Sequence, residues 1–319
     1  MDPRLNVIYR PDLLGKPRFP GDHYAPIQRT PAQAAEWAHL LAKAEVLLDV
    51  DRPSTTDFFT RAPHVRWIQS SSSGVGDWAR RLGLLESPVI VTNAAGLHAT
   101  SLSEFTLFAM LYFAKDWPRM VREQQAHHWE LCAIDTLDGK TLGIIGLGQV
   151  GRAVARLASA FGMRVIGMRR DVTASDVEHV DRVYPRGELG NLLRLCDYLV
   201  LSIPHTSETH GMLGVKELAL LKPSAVLINI ARGTIIDEPA LIDALQGGRL
   251  AGAALDVFAR EPLPPDSPLW DMPNVLVTPH SMSTARDENE RLVDLFCDNL
   301  RRYINNEPLR NVVDKARGY

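Results

Sequence analysis

A chain of 319 residues exceeds the roughly 100 to 200 residues of one compact domain, so two domains or one large α/β unit are expected. Hydrophobic residues at 45% and charged residues at 23% exclude a disordered, collagenous or disulfide-framework chain. With 35 Lys and Arg against 38 Asp and Glu, a net charge of −3, there is no global basic field for nucleic acid or an anionic membrane, and a small-molecule partner is the better expectation.

Apolar runs at Leu5 to Tyr9, Val46 to Val50, Val65 to Gln69 and Val89 to Thr92 read as strands, with a helix over Ala32 to Lys43 between the first two. The mostly apolar segment Thr100 to Ala114 predicts a largely buried helix. It opens with Ser101 and, three residues on, Glu104, the pattern of a capping box. Strands follow at Thr141 to Ile145, Arg164 to Met168, Tyr198 to Ser202, Ala225 to Ile230 and Gly252 to Val257, separated by segments of helical length, and Val275 to Thr278 adds one more. Such alternation predicts a doubly wound α/β domain, a parallel sheet covered on both faces. The proline-rich stretch from Glu261 to Pro268 can continue neither a helix nor a central strand and is expected to be a loop. Leu292, Leu295, Phe296 and Leu300 share one face of a closing helix over Thr284 to Asn305.

The three cysteines, Cys132, Cys196 and Cys297, lie far apart and show no metal-ligand spacing, so neither a metal site nor a disulfide scaffold is indicated. The start of the chain has no signal-peptide character and no stretch approaches the length of a membrane span. A soluble, cytoplasmic protein with reduced thiols is expected.

Gly146-Leu147-Gly148-Gln149-Val150-Gly151 follows the strand Thr141 to Ile145 and opens a helical run to Phe161, the context that a dinucleotide-binding GxGxxG requires. The glycines permit a tight turn and close backbone approach to a pyrophosphate, and the helix start supplies amide donors. About eighteen residues further on, an NAD site would carry an acidic residue for the ribose 2′-hydroxyl. This chain has Arg169 and Arg170 there. Two guanidinium groups can pair with a 2′-phosphate, which predicts NADP(H) in preference to NAD(H); the alternative is a solvated pair of surface arginines.

The later strands end in Arg232, Asp256, Glu261 and Thr278-Pro279-His280, at the carboxyl ends where open α/β sheets bind ligands. Arg232 could hold a substrate carboxylate in a bidentate pair. His280 could protonate a carbonyl oxygen as hydride arrives, and Glu261 could hold the imidazolium. Each alone is more often a solvated or structural loop residue; it is their joint occurrence that points to chemistry.

In order, GxGxxG, Asn229-Ile-Ala-Arg232-Gly233, Ala254-Leu-Asp256-Val-Phe258, Glu261-Pro262 and Thr278-Pro-His280 resemble the D-isomer-specific 2-hydroxyacid dehydrogenases over nearly the whole chain. The resemblance implies two Rossmann-like lobes: a smaller flavodoxin-like substrate lobe of residues 1–98 plus 284–319, and a dinucleotide lobe of 99–283, with the active site in the cleft. It implies Arg232, Glu261 and His280 as catalytic residues, Asp256 against the nicotinamide carboxamide, and further cofactor contacts at Pro204, Ala231 and Arg232. The family's substrate loop corresponds to Ser71-Ser-Ser73-Gly74-Val75-Gly76, whose backbone amides could bind the carboxylate with Arg232 and His280; Gly76 stands where relatives commonly have Asp.

The basic residue at 169 resembles the NADPH-using glyoxylate and hydroxypyruvate reductase branch. Reduction of such a 2-oxo acid to the D-2-hydroxy acid is therefore expected, with Leu97, His98, Trp129 and Met282 as candidates for the substrate pocket; Trp129 and Met282 equally suit a core. A phosphite dehydrogenase, similar in its Arg, Glu and His, and a nucleotide-sensing corepressor of the same fold are the alternatives. A formate dehydrogenase fits poorly, since those relatives place Gln where Glu261 stands. The resemblance also implies a homodimer, with the helix from Thr100 either between subunits or buried within one.

Overall fold

The computed structural model describes residues 2–23, 25–50, 57–170 and 177–318. Its contacts divide the chain into two compact units, Met1–Leu97 with Thr284–Tyr319, and His98–Ser283. His98, expected with the first unit, belongs to the second, where its Nδ1 lies 3.3 Å from the carbonyl of Ser283.

The first unit contains α1 (Pro31–Leu41), β1 (Val46–Leu48), α2 (Phe58–Arg61), β2 (Trp67–Gln69), α3 (Gly76–Arg81), β3 (Ile90–Thr92) and the C-terminal helix Glu288–Ile304. Helix α1 starts where Thr30 and Gln33 cap each other reciprocally and Pro31 supplies a preset first turn. The three strands form a parallel sheet in the order β1-β2-β3, with Leu47, Ile68 and Val91 in register. The C-terminal helix lays Phe296 and Tyr303 on Trp67, with ring centroids 5.4 and 5.3 Å away. Its buried Asn299 donates to Gln69 Oε1 (3.0 Å), which also accepts from Thr92 Oγ1 (2.7 Å), while Trp67 Nε1 donates to Thr92 Oγ1 (2.8 Å). A satisfied buried network of this kind fixes the helix to one register on the sheet.

Two expectations fail in this unit. Leu5 to Tyr9 forms no strand: Val7, Ile8 and Tyr9 are exposed, so the run buries too little apolar surface to hold a sheet edge. The closing helix begins at Glu288, with the preceding residues in turns.

The second unit runs α4 (Ala99–Ala114), α5 (Trp117–Gln125), β4 (Thr141–Ile145), α6 (Gln149–Ala160), β5 (Arg164–Met168), β6 (Arg182–Tyr184), α7 (Leu189–Leu193), β7 (Tyr198–Leu201), α8 (Val215–Leu218), β8 (Val226–Asn229), α9 (Glu238–Gln246), β9 (Gly252–Leu255) and β10 (Val275–Val277). Its seven parallel strands lie in the order β10-β9-β8-β7-β4-β5-β6. Strands β7, β8 and β9 are buried throughout, which is why they read as continuous apolar runs and not as alternating ones. One face packs Leu199, Leu201 and Leu227 against Leu192, Leu193, Leu241 and Leu245; the other packs Leu142, Ile144 and Val200 against Ala109, Met110, Val154 and Ala158. The direction of chain progression reverses between β4 and β7, the switch point at which open α/β sheets bind ligands.

The capping box expected at Ser101 and Glu104 is not formed. Helix α4 already begins at Ala99, with His98 in the cap position, so Ser101 lies inside the first turn. Phe108 leaves the core and is exposed, so α4 is buried on one side only. Strand β6 was not expected; of its three residues only Val183 is aliphatic. Among the described residues no helix is long and apolar enough to cross a membrane.

Candidate active site

The glycine turn sits at the carboxyl end of β4. Gly146 has φ +105°, a conformation L side chains rarely adopt, and a Cβ there would stand 2.6 Å from the carbonyl oxygen of Ser202. A Cβ at Gly151 would stand 2.0 Å from the carbonyl oxygen of Gly146, whereas one at Gly148 meets nothing within 4 Å. The outer two glycines therefore serve the fold, and the middle one leaves open space over the start of α6. Leu147 is buried, Gln149 exposed and Val150 half-buried. The first-turn amides of α6 have no intrahelical acceptor, the helix bonding beginning at Arg152 to Gly148 (3.0 Å). This cradle fits a pyrophosphate.

Beyond β5, the amide of Arg169 donates to the Tyr184 carbonyl (3.3 Å), and its half-buried side chain has no hydrogen-bond or ion-pair partner among the described residues. Arg170 is exposed and pairs with Glu208 at 3.3 Å. Pro204, in the loop after β7, is exposed, and its carbonyl accepts from Thr209 Oγ1 (2.8 Å).

Arg232, Glu261 and His280 lie on the loops after β8, β9 and β10. The buried Asn229 side chain accepts from the Ala231 amide (3.0 Å) and donates to the Arg232 carbonyl (3.1 Å), which fixes the turn that presents Arg232. The Arg232 Nη1 donates to the Ala231 carbonyl (2.6 Å). A Cβ at Gly233 would stand 1.9 Å from the carbonyl carbon of Phe258, so only glycine lets the Arg232 loop close onto the loop that carries Glu261. Glu261 Oε1 accepts from the Phe258 amide (3.0 Å), and Oε2 lies 2.7 Å from His280 Nδ1.

Burial works against ionisation of Glu261. The hydrogen bonds from His280 and Phe258, with the charges of His280 and Arg232, outweigh it and hold the carboxyl below its usual range. An ionised carboxylate can only accept, so the shared proton belongs to Nδ1 and Nε2 is the nitrogen that does not face Glu261. His280 itself has φ +52°, an unfavourable conformation for a side-chain-bearing residue that its surroundings must impose.

Asp256 supplies part of that constraint. It is 1% exposed and accepts from Thr278 Oγ1 (2.8 Å) and from the amides of Ser281 (3.1 Å) and Met282 (3.4 Å), on both sides of His280. Burial pushes its carboxyl above the usual range, against the pull of the Thr278 hydrogen bond and the His280 charge. Sequence reasoning expected Asp256 against the cofactor and missed this holding role, which rests on contacts more than twenty residues away along the chain.

In the first unit, the Ser73 hydroxyl donates to the Ala94 carbonyl (3.0 Å) and Asn93 Nδ2 donates to the Ser73 carbonyl (3.1 Å). The amides of Ser73, Gly74 and Val75 make no hydrogen bond among the described residues. A Cβ at Gly76 would stand 2.5 Å from the Gly318 carbonyl oxygen, which gives a steric reason against Asp at this position. Of the pocket candidates, Trp129 is 91% exposed and belongs to no core, whereas Met282 is half-buried against the second unit's core. Leu97 accepts through its carbonyl from Arg291 (3.3 Å) in the first unit.

Residues 107–281 match the family model of the D-isomer specific 2-hydroxyacid dehydrogenase, NAD binding domain. The chain is 34% identical to a glyoxylate/hydroxypyruvate reductase B of Pectobacterium carotovorum over 86% of its own length and 87% of the relative's. It is 33% identical, over 82% of its length, to a D-3-phosphoglycerate dehydrogenase of Methanocaldococcus jannaschii, of which it spans 49%. Among solved structures, an NADPH-dependent glyoxylate/hydroxypyruvate reductase of Sinorhizobium meliloti in complex with NADP and sulfate is similar at a TM-score of 0.78, with 31% identity and 87% of each chain covered. The chain belongs to the D-isomer specific 2-hydroxyacid dehydrogenase family. It is an α/β oxidoreductase with a nicotinamide-dinucleotide domain.

Proposed function

We propose that the protein reduces a small 2-oxo acid, glyoxylate or hydroxypyruvate, to the D-2-hydroxy acid with NADPH as reductant. The observation that carries this reading is the pair of His280 and an ionised Glu261, 2.7 Å apart, on a loop that Asp256 fixes. In the proposed reaction His280 is doubly protonated. Glu261 holds the Nδ1 proton and stabilises the imidazolium, and Nε2 gives its proton to the carbonyl oxygen. Arg232 holds the substrate carboxylate, a task its fork of donors suits. The amides of Ser73, Gly74 and Val75, which have no hydrogen-bond partner among the described residues, are by themselves suited to an anion such as a carboxylate. Bound nicotinamide would supply the hydride; the residues to hold the dinucleotide are the turn Gly146 to Gly151, Pro204, Ala231, Arg232 and Asp256.

Preference for NADP(H) over NAD(H) rests on Arg169 and Arg170, where an acidic residue would repel a 2′-phosphate. The family's glyoxylate/hydroxypyruvate reductases, with an NADP-bound structure among them, support both the substrate class and the cofactor. A homodimer is proposed as well, because the second unit leaves several large apolar side chains exposed, Trp129 and Leu131 at 91% and 88% and also Phe108 and Trp117. A cytoplasmic location is part of the same reading.

The test is nicotinamide oxidation, followed by absorbance, with NADPH and NADH against glyoxylate, hydroxypyruvate, pyruvate, 2-oxobutyrate and phenylpyruvate, and phosphite in reverse. Consumption of NADPH with glyoxylate or hydroxypyruvate is expected, and Arg169→Asp is expected to reverse the cofactor preference. Turnover with phosphite alone, or cofactor binding without turnover, would replace the proposal by one of its alternatives.

A further inference from the structure

We propose that Arg186 is a third arginine of the adenosine 2′-phosphate site and that Glu208 is the internal counter-ion that holds it, and Arg170, until the phosphate arrives. This rests on the NADP(H) reading above. Arg169 and Arg170 follow the carboxyl end of β5, and Arg186 follows the carboxyl end of β6 one residue beyond Pro185. Met168 and Tyr184 are paired in the ladder, so the two strands deliver their arginines at the same level of the sheet. Glu208 arrives from the other side, on the loop after β7, and must reach past the end of β4, where the glycine turn lies. There Glu208 Oε2 accepts from Nη1 of Arg186 and from Nη2 of Arg170 (3.3 Å), while Nη2 of Arg186 donates to the Glu208 carbonyl oxygen.

Both hydrogen-bonded nitrogens of Arg186 thus face one residue, and a single carboxylate oxygen is shared between two guanidinium groups. Arg170 and Arg186 share this one carboxylate, and a phosphate monoester near neutral pH carries more negative charge than a carboxylate. All the paired side chains are about half exposed, Arg170 at 47%, Arg186 at 42% and Glu208 at 52%. Exposed ion pairs contribute little stability, so a phosphate with more charge and more acceptor oxygens can take these donors from Glu208. A ribose 2′-hydroxyl offers no such charge, so with NADH the arginines would stay on Glu208. The sequence motif singled out only the adjacent pair, because Arg186 and Glu208 come together through strand order alone.

The experiment is calorimetric titration of the full-length protein with adenosine 2′,5′-bisphosphate and with ADP, probes that need no turnover. Wild type is expected to prefer the bisphosphate. Arg186→Ala is expected to raise the bisphosphate Kd about tenfold, as for one lost charge-assisted contact, and to move the ADP Kd less than twofold. Glu208→Gln, which removes the carboxylate charge that Arg186 and Arg170 share, is expected to lower the bisphosphate Kd severalfold and leave ADP unchanged. A wild-type protein that binds ADP as tightly as the bisphosphate would sink the cofactor reading and this inference together. A wild-type preference that Arg169→Ala removes but Arg186→Ala leaves intact overturns the role of Arg186 alone. An unchanged or weaker bisphosphate affinity in Glu208→Gln overturns the role of Glu208. Equal melting temperatures of the variants show that the shifts are not folding defects.

Discussion

At the scale of single residues, Glu261 matters because it stays charged while half enclosed. A neutral partner of the same shape would keep the hydrogen bond from Nδ1 and lose the anion that stabilises the imidazolium. Glu261→Gln is therefore expected to lower kcat for the 2-oxo acid by about 10² while the KM moves little, since general acid–base contributions are typically of that size. An unchanged kcat, with chemistry shown to limit the rate, would remove Glu261 from the proposed machinery. Asp256 and Asn229 also act through the backbone: each is buried and bonds loop amides, so each positions a neighbouring loop residue.

Among the elements, the start of the central sheet is tied by Asp197, which accepts from the Thr141 amide (2.8 Å) and from Lys222 Nζ (2.7 Å). Burial opposes its ionisation, but the Lys222 and Thr141 hydrogen bonds outweigh burial and hold the carboxyl below its ordinary value. A carboxyl with a depressed folded-state pKa stabilises the fold above its unfolded pKa and loses that contribution as pH falls through the folded value. Asp197→Asn is accordingly expected to cost about 1–2 kcal/mol at pH 7, allowing for partial exposure of the pair, and progressively less below about pH 4. Chemical denaturation across pH measures this; a penalty independent of pH would refute the charge argument.

The same scale shows how much was legible in the sequence. Strands β4, β5, β7, β8 and β9 are largely apolar and buried because both faces of their sheet are covered, and the glycine turn and the Arg232, Glu261 and His280 loops follow in sequence from strands of this sheet. What escaped depends on tertiary contacts: the short β6, the exposed run Leu5 to Tyr9 that joins no strand ladder among the described residues, and the start of α4 at Ala99, two residues ahead of the serine. Arg186 and Glu208 escaped for the same reason.

For the whole molecule, the proposed homodimer has a clear signature. Trp129 and Leu131 expose nearly all of their large side chains on the segment after α5, a cost in water that burial against a second copy would relieve. Replacing both, as Trp129→Asp with Leu131→Asp, is expected to halve the mass measured by light scattering while circular dichroism stays that of the folded chain. A monomeric wild type would refute the assembly.

The seven-stranded sheet ends, at either side, in a strand of three residues: β10 lies between Pro273 and Pro279, and β6 runs directly into Pro185. Proline offers no amide to a ladder, and a three-residue edge gives an incoming strand little to zip against. The margins of the sheet are thus poor templates for aggregation, so the molecule can keep several fully apolar strands at its centre without inviting other chains to continue them.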